Sequence, residues 1–105
     1  MPVYISIGLK ASSVEIVSEA LRRETGHQPE LHDSLFLGEY DLFRIPEAAR
    51  VRYNFVDAEG EWAYPEHREY GVLLDVESTE CPDFFRALAV KLGFENKVMD
   101  EENWQ

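Results

Sequence analysis

Twice in this chain a stretch of alternating residues gives way to an apolar stripe of helical period. "VYISIGL" (3–9) places Val3, Ile5, Ile7 and Leu9 on one face and Tyr4, Ser6 and Gly8 on the other. That pattern predicts a strand buried on one side. Shortly afterwards Val14, Val17 and Leu21, with Ile16 and Ala20, fall at spacings that share one helix face. The succession returns as "YGVLLDV", with Tyr70, Val72, Leu74 and Val76 inward, and then "PDFFRALAVKLG", whose Phe85, Leu88, Ala89 and Leu92 form a second stripe. A sheet that meets amphipathic helices must be covered by them, so the chain is confined to layered helix-on-sheet architectures.

The helix ends carry their own signals. Ser12 is placed to cap the first helix, with Glu15 reaching back to complete a capping box. Gly26 supplies the stop. Pro82 suits the first position of the second helix, Asp83 its positive end, and Gly93 its close. Helices are therefore predicted over 13–25 and 82–92. Between them, 27–34 reads as loop, "LFL" (35–37) as a short strand and "YDLFRI" (40–45) as a better one. Pro46 ends it, and "PEAA" suits a turn. "VRYNFV" (51–56) alternates, with Val51, Tyr53 and Phe55 on one face. "DAEG" (57–60) makes a hairpin turn, and "EWAY" returns until Pro65 interrupts the ladder. The ending "ENKVMDEENWQ" offers one short strand through Val98 and Met99 before fraying into acid. The expectation is a single α+β domain over 1–105 with an acidic tail at 100–105. Its sheet is antiparallel-rich, of four to five strands in the order β-α-β-β-β-β-α, with two helices on one face, ferredoxin-like or related.

Charge narrows the partners. The chain of 105 residues has 21 acids against 10 bases, a formal charge of −11. Binding nucleic acid requires neutralising phosphates, and this surface repels them, as it repels an anionic membrane. A cationic protein is the complementary partner, while solubility alone is the competing explanation of the acidity. The acids are concentrated. From Asp57 to Asp83 there are nine, against Arg68 as the single Lys or Arg. Within that span Trp62, Tyr64 and Tyr70 are interleaved with Asp57, Glu59, Glu61, Glu66 and Glu69. Aromatics rimmed by charge are the composition of an interface hot spot. These eight residues form the candidate partner-binding site, with weaker help expected from Asp75 and Glu77. The competing reading is a solvated hairpin whose aromatics pack on the sheet.

Catalytic patterns are missing from the sequence. It has no GxSxG, phosphate loop or GxGxxG. His27, Glu30, His32 and Asp33 are metal-capable types, but their spacing matches neither one helix face nor a zinc pattern. Glu66 and His67 are adjacent, so on a strand they point apart. No catalytic residue, metal or cofactor is assigned. Cys81 is the single cysteine, which excludes an internal disulfide and fits a reducing cytoplasm. "MPVYISIGLKASS" lacks a basic leader, and its apolar run has strand length, so neither signal peptide nor membrane span is expected.

In size, acidity and fold type the chain resembles bacterial toxin-immunity proteins. That resemblance implies a protein that neutralises a cognate toxin, such as a nuclease, by covering its surface. The class has no general motif, so it transfers no residue. The opening "MPVYISIG", followed by a helix and "TGHQP", resembles the tautomerase superfamily over about the first thirty residues. This resemblance implies Pro2 as an N-terminal general base. A regulatory or structural adaptor, monomeric or paired through an edge strand as a homodimer, is the remaining class.

Overall fold

The computed structural model describes residues 2–34, 38–45, 47–56 and 61–103. Its strands are β1 (Val3–Leu9), β2 (Glu30–Ser34), β3 (Gly38–Arg44), β4 (Ala48–Tyr53), β5 (Phe55–Val56), β6 (Glu61–Trp62), β7 (Val72–Thr79) and β8 (Asn96–Asn103). Helix α1 spans Val14–Thr25, α2 spans Pro82–Lys91, and a 3₁₀ turn covers Pro65–His67. Six strands form one sheet in the order β2-β3-β4-β7-β1-β8, every neighbouring pair antiparallel. The segments β1-α1-β4 and β7-α2-β8 are the two split β-α-β units of a ferredoxin-like core. Into that core the chain inserts the β2–β3 hairpin, which widens the sheet, and the β5–β6 ribbon, which stands apart from it.

Both helices cover one face. Ile5, Ile7, Leu9, Val72, Leu74 and Val76 meet Val17 and Leu21 of α1 and Phe85 and Leu88 of α2 in one buried cluster. Phe43, Ala49 and Val51 extend it beneath α1. Each fully buried large side chain contributes about 1.5–3 kcal/mol, so this layer supplies most of the driving force. Helix α1 begins one residue later than the sequence implied. Ser13, not Ser12, is the cap and accepts from the Ile16 amide at 3.3 Å. That places Ile16 at the third helical position, where a capping box needs Glu. Glu15 instead points its carboxylate toward the Tyr53 hydroxyl, 3.5 Å away. Ile16 leaves the buried stripe and is exposed. Gly26 does close α1, at φ 74° with its N–H on the Arg22 carbonyl, a left-handed conformation that disfavours side chains.

Other departures have physical causes. Residues 30–34, expected as loop, are strand β2, because β3 supplies a full ladder of partners to a polar edge. The stretch 35–37, expected as a strand, lies outside the described residues, as does the expected turn at 57–60. The acids at 100–102 do not fray: β8 pairs with β1, Tyr4 opposite Glu102 and Ser6 opposite Asp100, with a register shift between Ser6 and Ile7. The sheet thus has six strands rather than four or five. Tyr53 and Phe55 do not join Val51 in the core. The chain bends at Asn54 and leaves them 37% and 38% exposed. Among the described residues no helix is long and apolar enough to cross a membrane.

Candidate functional site

The second face of the sheet is also buried over β1, β4 and β7. Ser6 and Leu73 are fully enclosed, Asp75 is 1% exposed and Arg52 8%. These residues alternate with the helix-facing ones, so something other than the helices must cover them. Among the described residues the cover is the strap made of 54–56 and 61–71. Tyr64 and Tyr70 are half-buried on its inner side. A Cβ built on Gly8 would come within 2.9 Å of the Tyr70 Cβ, so glycine at that position is what lets the strap lie this close. The Tyr4 phenol sits under the strap as well. Burial, first, and then the Asp75 charge and Tyr64 push its pKa well above the usual tyrosine range.

Asn54 holds the strap down. It is fully buried, and its amide donates to the Tyr70 carbonyl at 3.0 Å and the His67 carbonyl at 3.2 Å. Its side-chain oxygen accepts from the Tyr64 amide at 2.9 Å. Its backbone N–H donates to Gly71 at 2.9 Å and its carbonyl accepts from Ala63 at 2.7 Å. One side chain thus satisfies polar groups of a loop that has little regular structure of its own.

Beneath the strap lies a buried ion pair. Arg52 Nε donates to Asp75 Oδ2, and Ser6 Oγ donates to Asp75 Oδ1 at 2.5 Å. Asp75 was expected to assist on the surface. Its carboxylate is enclosed and neutralised, and it is withdrawn from the site. Glu77 faces Arg50 at 3.9 Å, and Asp83 pairs with Arg86 on the first turn of α2.

The outer side of the strap retains the rest. Glu61, Glu66 and Glu69 are exposed. His67 Nδ1 lies 3.9 Å from Glu69, while Glu61 and Glu66 make no ion pair among the described residues. Trp62 is half-buried, its ring 5.4 Å from that of Phe55, and the Arg68 guanidinium lies 5.5 Å over its centroid. Trp62, Pro65, Arg68 and Glu61 line a shallow hollow of about 380 Å³. Of the residues singled out in the sequence, Glu61 and Trp62 therefore line one hollow, and Glu66 and Glu69 are exposed on the same strap. Tyr64 and Tyr70 turn toward the sheet, and Asp57 and Glu59 lie outside the described residues. Phe55 and Arg68 are the additions that spacing alone did not supply.

Elsewhere, Cys81 is half-buried at the α2 N-cap, its thiol 3.7 Å from Glu47 Oε1. Glu47 also accepts from the Glu80 amide at 3.0 Å, and the Thr79 hydroxyl, first among its partners, helps hold its carboxyl below the usual range. His32 stacks on Tyr40, centroids 5.3 Å apart, and His27 is exposed beyond α1. No group of three or more His, Cys, Asp or Glu converges on a metal-sized site among the described residues. No protein-family model matches the chain, and no characterised protein matches it significantly.

Proposed function

We infer that this chain is a binding protein for a cationic protein, and that it engages its partner through the outer side of the strap. The observation that carries the reading is Trp62 in a hollow with Glu61, on a clamped strap that also exposes Glu66 and Glu69. A rigid aromatic within an acidic rim loses little entropy on binding, and it steers basic surfaces toward itself. In its most specific form the partner is the basic active-site face of a toxin, and the chain is its immunity protein. It acts in the cytoplasm, where a lone thiol stays reduced. Neutralising a nuclease asks only for a tight, acidic, phosphate-mimicking surface, so the absence of catalytic patterns is compatible with it.

The test is co-expression with a panel of basic toxin nuclease domains, beginning with any encoded beside it, followed by association kinetics on the purified pair. Protection of growth is expected. Glu61, Glu66 and Glu69 changed together to glutamine slow association and flatten its salt dependence, because rim charges act on the encounter. Trp62→Ala speeds dissociation, costing roughly 2 kcal/mol, with little change in thermal midpoint. Failure to protect, or kinetics indifferent to both changes, defeats the reading.

A further inference from the structure

A second recess lies on the helix side of the sheet, at the end where β4 gives way to the strap. It is a cleft of about 320 Å³ between the first turn of α1 and the β2–β3 hairpin. Its walls are Val14, Leu31 and Tyr53, and its carboxylates are Glu15, Glu39 and Asp41. Leu31 is 85% exposed in it, and Tyr53 37%. His32 and Tyr40 also border it, but they alternate with Leu31 and Asp41, so their stacked rings belong to the opposite face of the sheet.

Asp41 is what makes this more than a group of surface acids. It is only 8% exposed, flanked across the sheet by Leu31 and Val51. Its carboxylate accepts from the Ser18 hydroxyl at 2.5 Å and makes no ion pair among the described residues. A neutral hydroxyl does not compensate a buried charge, whereas Asp75, more deeply enclosed, has Arg52. The same sheet therefore contains one buried carboxylate with its cation and one without, and the second lines an open cleft.

We propose that this cleft receives an arginine side chain of the cationic partner. Its apolar stem lies against Leu31 and Val14, its guanidinium plane against the Tyr53 ring, and its N–H groups on Asp41 and the flanking glutamates. The cleft is near the lower limit for ligand pockets, which suits one long side chain rather than a whole small molecule. Guanidinium is favoured over ammonium because it is planar, stacks on aromatic rings, is less strongly hydrated and meets carboxylates with two hydrogen bonds. The position agrees with the strap surface. Tyr53 stands two residues before Phe55, on which Trp62 packs, so about 7 Å of chain separates the cleft wall from the strap's aromatic pair. The inference rests on the reading of a cationic partner, and it names the partner residue that enters this protein.

The test needs no partner. N-acetyl-arginine N-methylamide is titrated into the intact protein and followed by amide chemical shifts, beside its citrulline and lysine counterparts. Saturable shifts are expected at Val14, Glu15, Leu31, Glu39 and Tyr53, with a Kd on the order of 1 mM, as befits one side chain. Citrulline, which keeps the shape and loses the charge, should not saturate. Tyr53→Ala should weaken arginine binding about fivefold. Asp41→Asn should abolish it while leaving the thermal midpoint unchanged or raised, an outcome that a purely structural aspartate would not give. If Asp41→Asn does not fold, Glu39→Gln combined with Tyr53→Ala carries the test on surface positions. Shifts scattered over all the acidic faces overturn the proposal. So does equal binding of citrulline or lysine, or arginine binding indifferent to these substitutions. Arginine binding here with no cationic partner would sink the proposed function alone. A partner bound through the strap with an inert cleft would sink this inference alone.

Discussion

Removing the Arg52 charge tests whether the second face of the sheet is sealed. Arg52→Met keeps an unbranched stem and deletes the guanidinium. In the folded protein the side chains of Arg52 and Asp75 are 9% and 1% exposed, and the remaining partner of Asp75 would be the Ser6 hydroxyl. Breaking a pair this deep leaves an uncompensated charge and costs about 3–5 kcal/mol. For a domain of this size that is at least about a fifth of a typical total stability of about 5–15 kcal/mol. Each kcal/mol shifts the midpoint by roughly 4–8 °C, so the thermal midpoint should fall by at least about 12 °C. Thermal melting followed by far-ultraviolet circular dichroism measures the midpoint and urea unfolding the free energy, with m unchanged if the native state stays compact. The companion variant Ser6→Ala/Arg52→Met/Asp75→Leu removes every partner at once. It should return to within about 1 kcal/mol of the parent, because a buried pair replaced by apolar groups loses little. If Arg52→Met alone costs less than about 1 kcal/mol, water reaches Asp75, and the account of the strap as a seal is wrong.

Two further substitutions probe neighbouring parts of the argument. Asn54→Ala strands the Tyr64 amide and the His67 and Tyr70 carbonyls; it should cost about 3 kcal/mol by urea unfolding and speed hydrogen exchange at Tyr64 and Tyr70 before the sheet amides. Glu47 has its folded pKa lowered, so its contribution is complete above the unfolded value near about 4.3 and disappears as pH falls through the folded one. The stability curves of the parent and Glu47→Gln should therefore differ at pH 6 and converge as the pH falls through the lowered folded value, whereas a constant gap would mean that the Thr79, Glu80 and Cys81 contacts do not favour the charged form.

The helix-facing layer was legible because periodicity reports one face at a time. Val17, Leu21, Phe85 and Leu88, read as inward, are inward. The second face was not legible, for the same reason. Alternation correctly set Ser6 and Asp75 opposite the helices, but "opposite the helices" is solvent only when nothing else covers the sheet. Asp75 was consequently counted with the surface acids. The clue lay in Asn54, a poor strand former inside "VRYNFV", whose side chain competes with the ladder and here clamps the strap. Strand β2 escaped because "ELHDS" is polar with no buried face to impose a period, and a partner strand recruited it through backbone groups alone. Among the site residues, the exposed glutamates and Trp62 were readable from composition. The cleft was not, since Glu15, Leu31, Asp41 and Tyr53 come from four separate elements and meet only once the sheet has formed.

The arrangement of insertions gives a reason to look for function at this end of the molecule. A split β-α-β core consists of β1, α1, β4, β7, α2 and β8, and the inserted β3 adds the buried Phe43 to its helix-facing layer. The β2–β3 hairpin and the strap are additional, and each contributes what the core lacks. The hairpin brings Leu31, Glu39 and Asp41 beside α1 and so forms a cleft with an uncompensated buried carboxylate. The strap seals one ion pair, and by sealing it gains a rigid base on which to hold Trp62 outward. Tyr53 closes β4 between them, a wall of the cleft on one side and the last residue before the clamp on the other. Additions made only for stability would bury their polar groups with partners and their aromatics inward, as the strap does with Tyr64 and Tyr70. Asp41 meets a neutral hydroxyl rather than a cation, Leu31 and Tyr53 are exposed, and Trp62 is half-buried beneath Arg68. A cationic partner that supplies an arginine to the cleft and a surface to Trp62 would satisfy all three together.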